Sequence, residues 1–245
     1  MTSTRINDMP PPYAGRMPQT PRAIAFFDLD NTLVRGSTMF LYALTAWKHG
    51  HLRLIDLLRF GWHQVTFLAV GETTAQHTVA RGRGLDLIAG QSVAALNEIA
   101  HATARDAVHS RLIQASVARA KQHLAAGVDV WIITASPQSF ARIVAQDLGF
   151  TGALGTEVES QNGVATGRLL DEPLHGVRKV GAITRLAKEN GVSLADCFAY
   201  SDSSNDIPML ETVGHAIAVN PDRELARVAR ERGWEILPLR HKRPA

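Results

Sequence analysis

Asp28 and Asp30 follow directly on Ala23-Ile24-Ala25-Phe26-Phe27, an apolar run with the length and composition of a β-strand buried on both faces. Two further runs end in the same way. Val128-Asp129-Val130-Trp131-Ile132-Ile133 delivers Thr134 and Ser136, and Asp196 to Tyr200 delivers Ser201, Asp202, Ser203, Ser204, Asn205 and Asp206. In a parallel sheet such strand ends converge on one crevice, so Asp28, Asp30, Asp202 and Asp206 would meet there. Carboxylates gathered in this way repel one another and are costly to desolvate unless a hard cation and a lysine offset their charge. Magnesium fits, because it takes a few carboxylate oxygens and leaves its other positions to water and substrate phosphate. Zinc does not, because no His/Cys cluster accompanies the aspartates. His49 and His51 have no third ligand nearby in sequence and read as a solvated helix end.

The elements that must position these groups alternate. After the second strand, Pro137 stands where the first turn of a helix tolerates it, and Gln138 to Leu148 continues as that helix. Between Thr156 and Leu170, two short alternating runs flank Gln161-Asn162-Gly163, a strong hairpin signal. A helix over Val177 to Asn190 follows, then the Asp196 to Tyr200 strand, a helix after Ser204, a strand at His215 to Val219, a helix from Asp222 to Arg232 and a last short strand at Glu235 to Leu237. This order predicts an α/β fold with a doubly wound, mostly parallel, Rossmann-like sheet. From Ser37 to about Ala126 the pattern is instead helical and Ala/Leu-rich, broken at Gly50, Gly71, Gly82, Gly84 and Gly90. The expected organisation is a disordered tail over 1–22, a Rossmann-like catalytic core over 23–36 and 111–245, and a helical cap over 37–110.

Composition narrows the function classes. The 245 residues are 45% hydrophobic and 20% charged, which excludes extensive disorder and fibrous repeats. The net charge of +3 owes something to Arg240, Lys242 and Arg243, and no stretch of the body concentrates basic residues as nucleic-acid binding requires. The single cysteine, Cys197, excludes an internal disulfide and fits a cytoplasmic location. Residues 1–22 hold five of the 11 prolines and no apolar signal-type run. Leu52 to Val70 is interrupted by Arg53, Asp56, Arg59, His63 and Gln64, too polar to cross a bilayer, so membrane contact is not expected.

Asp28-Leu29-Asp30-Asn31-Thr32 with its preceding strand resembles the first signature of the haloacid dehalogenase-like hydrolases. Ile132-Ile133-Thr134-Ala135-Ser136 is similar to the second motif, Lys179 in Val177-Arg178-Lys179-Val180 to the third, and Tyr200-Ser201-Asp202-Ser203-Ser204-Asn205-Asp206-Ile207-Pro208-Met209-Leu210 to the fourth. The helical insertion after the first motif and the hairpin before Lys179 place the resemblance nearest the phosphoserine-phosphatase-like branch, subfamily IB. It implies Asp28 as a nucleophile that forms an aspartyl-phosphate, and Asp30 as general acid and base. It implies Mg²⁺ held by the side chains of Asp28 and Asp202 and the backbone carbonyl of Asp30, with Asp206 in support. Thr134, Ala135, Lys179 and Asn205 would then surround the phosphoryl group, and Arg83 or Arg81 would reach the substrate from the cap, with the spacing favouring Arg83.

The expected activity is Mg²⁺-dependent hydrolysis of a small phosphorylated metabolite by a monomer or homodimer. A phosphotransferase or mutase would use the same groups, and phosphoserine or histidinol phosphate are specific substrate alternatives. A dehalogenase needs neither metal nor the acid at Asp30. In phosphoserine phosphatases a Glu nine residues after the nucleophile binds the substrate amine, and here that position is Ser37.

Overall fold

The computed structural model of the chain describes residues 4–5, 23–53, 85 and 88–237. Its strands are β1 (Thr4–Arg5), β2 (Ile24–Phe27), β3 (Asp129–Pro137), β4 (Gly152–Thr156), β5 (Val158–Gln161), β6 (Val164–Leu169), β7 (Phe198–Ser201), β8 (His215–Val219) and β9 (Glu235–Leu237). Its α-helices are α1 (Thr38–Lys48), α2 (Val93–Thr103), α3 (Gln114–Ala125), α4 (Gln138–Leu148), α5 (Val177–Glu189), α6 (Ile207–Thr212) and α7 (Arg223–Arg232). Six strands form one sheet in the order β4-β3-β2-β7-β8-β9, with every neighbouring pair parallel. The chain winds outward from β2 on one side and from β7 on the other, the doubly wound α/β arrangement expected from the sequence.

β2 is buried along its whole length because both faces of the sheet are covered. Alternation sends Ala25 and Phe27 into a core with Ala120 of α3 and Phe140 and Val144 of α4, while Ile24 and Phe26 enter the opposite core with Ile183 of α5, Met209 of α6 and Leu225 of α7. The chain leaves this sheet for the helical insertion and returns at one place. Arg35 N donates to the Arg111 carbonyl at 2.9 Å and Ile113 N to the Leu33 carbonyl at 2.8 Å, so the outgoing and incoming segments fasten each other. A single π-helical turn over Ala104–Val108 and a 3₁₀ turn over His109–Arg111 join α2 to that crossing.

The hairpin lies at the expected place. Asn162 and Gly163 join β5 to β6 with φ of 52° and 75°, as a two-residue type I′ turn requires. Three features depart from the sequence reading. β4 lacks the apolar alternation of a strand because its glycines serve close approach: a Cβ on Gly152 would lie 2.7 Å from the Trp131 ring, and one on Gly155 2.7 Å from the Ser136 carbonyl. β3 runs on to Pro137 rather than ending at Ile133, with a register irregularity between Ile133 and Pro137 that re-aims Thr134 to Ser136. Thr4–Arg5, within the expected tail, pairs antiparallel with Ser160 and Glu159 along the open edge of β5, whose backbone groups would otherwise have no strand partner on that side. Among the described residues no helix is long and apolar enough to cross a membrane.

Beneath the crevice, Tyr200 stacks on Phe27 with ring centroids 4.0 Å apart, and its hydroxyl meets His123 Nε2 at 2.7 Å. Burial, reinforced by Arg119 and His215, holds the His123 imidazole down at about 4, so the fold carries it neutral. The unfolded chain takes up this proton below about 6.5 and the folded chain only near 4. Stability from this group is therefore complete above the unfolded value and is lost as pH falls through that window, by up to about 3 kcal/mol at the lower end. His123→Gln should remove that dependence, and denaturant midpoints of wild type and variant at pH 7 and pH 4.5 check it. Equal acid sensitivity in both would place the effect elsewhere.

Candidate active site

The direction of winding reverses between β2 and β7, and the crevice outside the carboxyl ends of these strands is where an open α/β sheet presents ligand groups. Asp28 lies one residue beyond β2, and its N–H donates to the Tyr200 carbonyl at 2.9 Å, carrying the β2–β7 ladder into the crevice. Lys179, in the first turn of α5, is buried and directs Nζ at both Asp28 Oδ1 and Asp206 Oδ2, each at 2.6 Å. Among the described residues two of the three ammonium donors are thereby used, and one remains for an oxygen entering the crevice. Asp206 Oδ2 also accepts from Ser201 Oγ at 2.7 Å.

Four carboxylates against one ammonium leave the crevice short of positive charge. Burial pushes the Asp28 carboxyl up to about 8; Lys179 pulls it down, while Asp206 and Asp202 raise it further. Asp202 is pushed up to about 7, again chiefly by burial, with its own backbone N–H opposing and Asp206 adding to the rise. Burial also raises Asp30, against the hydrogen bonds of Thr38. Lys179 goes the other way: burial alone would lower it, and the charges of Asp28 and Asp206 overturn that and hold it firmly protonated. These are the conditions that a divalent cation relieves. Among the described residues, no group of three or more His, Cys, Asp or Glu side chains is gathered as a ligand cage. Two carboxylates with a backbone carbonyl suit a hard cation that keeps several waters, which is the habit of magnesium.

Asp30 faces the first turn of α1. Thr38 N donates to Asp30 Oδ1 at 2.9 Å, and Thr38 Oγ1 meets Ser136 Oγ at 3.0 Å, so the start of the insertion, the second aspartate and the end of β3 are joined in one network. Asn31 turns the chain immediately after Asp30 with φ of 54°, and its side-chain oxygen accepts from Gly36 N at 2.8 Å. Thr134 is buried, and its Oγ1 accepts from Ser136 N at 3.1 Å, which leaves the hydroxyl proton to be donated. Ala135 is exposed beside it, with its carbonyl tied to Thr156 Oγ1 at 2.7 Å. Thr32 Oγ1 reaches Asp202 Oδ1 at 3.4 Å. Asn205 sits in the 3₁₀ turn Ser204–Asp206, its carbonyl 3.5 Å from where a Cβ on Gly176 would stand, so it borders the loop leading into α5.

The structure thus brings together Asp28, Asp206 and Lys179 by direct bonds, and arrays Asp30, Thr134, Asp202 and Asn205 on the neighbouring strand ends. Arg81 and Arg83 lie outside the described residues. Ser37 is the N-cap of α1, where its Oγ accepts from Phe40 N at 3.3 Å. Sequence reasoning missed Thr38, whose part depends on contacts with Asp30 and Ser136 that no local pattern signals. A carboxyl buried against a lysine, a second carboxyl held by Thr38, and a threonine hydroxyl with its proton free to donate form a set suited to displacement at phosphorus.

The chain is similar to known proteins in both sequence and structure. Residues 25–211 match the family model of the haloacid dehalogenase-like hydrolases. A phosphoserine phosphatase of Mycobacterium tuberculosis is 42% identical over 97% of this chain and 79% of its own length. A histidinol-phosphatase of Neisseria meningitidis is 36% identical over 48% of this chain and 54% of its own. In structure, a Bordetella pertussis protein of unknown function superposes with a TM-score of 0.79 at 28% identity, covering 89% of this chain and 99% of that one.

Proposed function

The chain belongs to the haloacid dehalogenase-like hydrolases, and from that membership we propose that it is a magnesium-dependent phosphatase of small phosphomonoesters working through an aspartyl-phosphate on Asp28. The observation that carries this is the buried contact of Lys179 with Asp28 and Asp206 at the carboxyl end of the central strand. Asp28 attacks phosphorus in line with the leaving oxygen, and Asp30, held by Thr38, gives that oxygen its proton. The acyl phosphate is then opened by a water that Asp30 deprotonates, returning the site to its starting state. Lys179, Thr134, Ala135 and Asn205 surround the transferred group, whose charge is spread over its outer oxygens in a loose transition state. Asp28, Asp202 and the Asp30 carbonyl would hold Mg²⁺, which would supply the positive charge that keeps both carboxylates ionised and offsets the charge of the phosphoryl group. The same reading takes 23–36 and 111–245 as core and 37–110 as cap, and a monomer or homodimer in the cytoplasm, where a free buried thiol such as Cys197 persists.

Phosphate release from a panel of phosphorylated metabolites tests the reading. Chelation should abolish activity and Mg²⁺ should restore it, whereas Ca²⁺, with its larger and looser shell, should inhibit. Full activity in excess chelator contradicts the metal assignment, and transfer to a second alcohol in place of release would make the enzyme a phosphotransferase or mutase.

Substrate choice turns on Ser37, whose hydroxyl caps α1 and whose position offers no carboxylate to an ammonium. Exchanging a charged partner for a hydroxyl costs about 1.5–3 kcal/mol, so phosphoserine should fall roughly ten- to a hundredfold in kcat/KM behind a preferred ester, with histidinol phosphate one candidate. Phosphoserine kcat/KM above about 10⁴ M⁻¹s⁻¹, with no improvement in Ser37→Glu, would show that Ser37 does not report on specificity.

A further inference from the structure

The loop bearing Asp202, Asn205 and Asp206 is rich in side chains that compete for their own backbone. Ser203 Oγ accepts from both the N–H and the Nδ2 of Asn205, each at 3.3 Å. Bonds of this kind stay within the loop, and a ligand set built on it needs an anchor from elsewhere. Inside the crevice that anchor is the Lys179–Asp206–Ser201 cluster.

Outside the crevice it is Asp222, which stands just before α7 and which no step of the proposed reaction uses. Its backbone N–H donates to the Asp202 carbonyl at 2.8 Å. Its carboxylate is divided between two elements: Oδ1 accepts from Leu225 N at 2.8 Å and caps α7, while Oδ2 accepts from Ser204 N at 2.7 Å. The peptide segment from Asp202 to Ser204 is thus gripped at its carbonyl and at its next-but-one N–H by one residue, with the second bond charge-assisted. A helix cap alone needs only the bond to Leu225.

We propose that Asp222 is a positioning residue for the cation-binding and phosphate-binding loop, setting the affinity of Asp202 for magnesium through Ser204 and the Asp202 peptide. The proposal rests on the reading of Asp202 as a ligand. Partners standing behind metal ligands commonly govern affinity by about 10–100-fold, and this one acts from the next helix rather than from the loop itself.

Asp222→Asn separates the two roles. Asparagine is as good an N-cap as aspartate, so one oxygen still serves Leu225, but the amide nitrogen that replaces the other oxygen cannot accept from Ser204 N–H. Asp222→Ser, also a good cap, reaches only one partner. Glu224→Gln removes a charge from the same helix turn, at a residue paired with Arg227, and controls for long-range electrostatics. Mg²⁺ affinity of the full chain is measured by titration calorimetry without substrate, beside the melting temperature in metal-free buffer. The expected result is a Kd for Mg²⁺ raised about 10–100-fold in Asp222→Asn and Asp222→Ser, unchanged in Glu224→Gln, with metal-free melting temperatures within about 4 °C of wild type. A wild-type Kd in both Asp222 variants overturns the proposal, as does an equal weakening in Glu224→Gln. If the wild type itself fails to bind Mg²⁺, the assignment of Asp202 as ligand falls first and this proposal with it.

Discussion

Asp28→Asn should fold and lose at least about a thousandfold in turnover, the scale on which removal of a covalent catalyst is felt. An amide oxygen is too weak a nucleophile to attack phosphorus, and it cannot leave as a carboxylate when water opens the intermediate. Folding survives because the buried Lys179 keeps Asp206 at 2.6 Å, and the asparagine oxygen can still accept from Nζ, so no uncompensated ammonium is left in the core. A variant that keeps more than a tenth of wild-type turnover would remove Asp28 from the role.

Asp30→Asn should be the next most severe, and its loss should depend on the ester. General acid help is worth roughly 10²–10⁴-fold when the departing oxygen needs a proton. Alkyl phosphates should fall by that amount and an activated aryl phosphate by much less, because its phenolate leaves unaided. The carboxyl is well placed to donate, since Thr38 N fixes Oδ1 and burial raises its proton affinity above the ordinary carboxylate range. Equal losses on alkyl and aryl esters would leave Asp30 with a binding role only.

Much of this arrangement is legible before any coordinates, and the reasons are physical. β2 is short and buried on both faces, so its sequence is an unbroken apolar run, β7 and β8 are buried over all but their first residue, and the polar residues that follow mark the open end of the sheet. Asp28 and Asp202 are found in that way, and Thr134 at the end of the apolar run Val128 to Ile133, although β3 continues through it to Pro137. Lys179 is not, since on charge grounds it looks like any helix lysine; only the family motif picks it out, and only the structure reveals it buried between Asp28 and Asp206. β4 escapes because Gly152 and Gly155 meet contact requirements set by Trp131 and Ser136. Thr38 and Asp222 escape for another reason: each looks like an ordinary residue at a helix start, and the second bond that gives it meaning runs to a partner far along the chain. The cap is the least legible part, for its candidate contacts Arg81 and Arg83 belong to a stretch whose glycine-broken pattern fixes no register against the core.

The phosphoenzyme is the most direct test of the central claim. Wild-type protein mixed with a ³²P-labelled phosphomonoester and Mg²⁺, then quenched in acid within the turnover time, should retain label that hydroxylamine releases, as an acyl phosphate does. Reduction with tritiated borohydride expels the phosphate and leaves a labelled homoserine, which peptide mapping should place at position 28, and Asp28→Asn should carry neither label. Label that resists hydroxylamine, or label on any other residue, would contradict the account, as would burst-free turnover with no bound phosphate at any quench time.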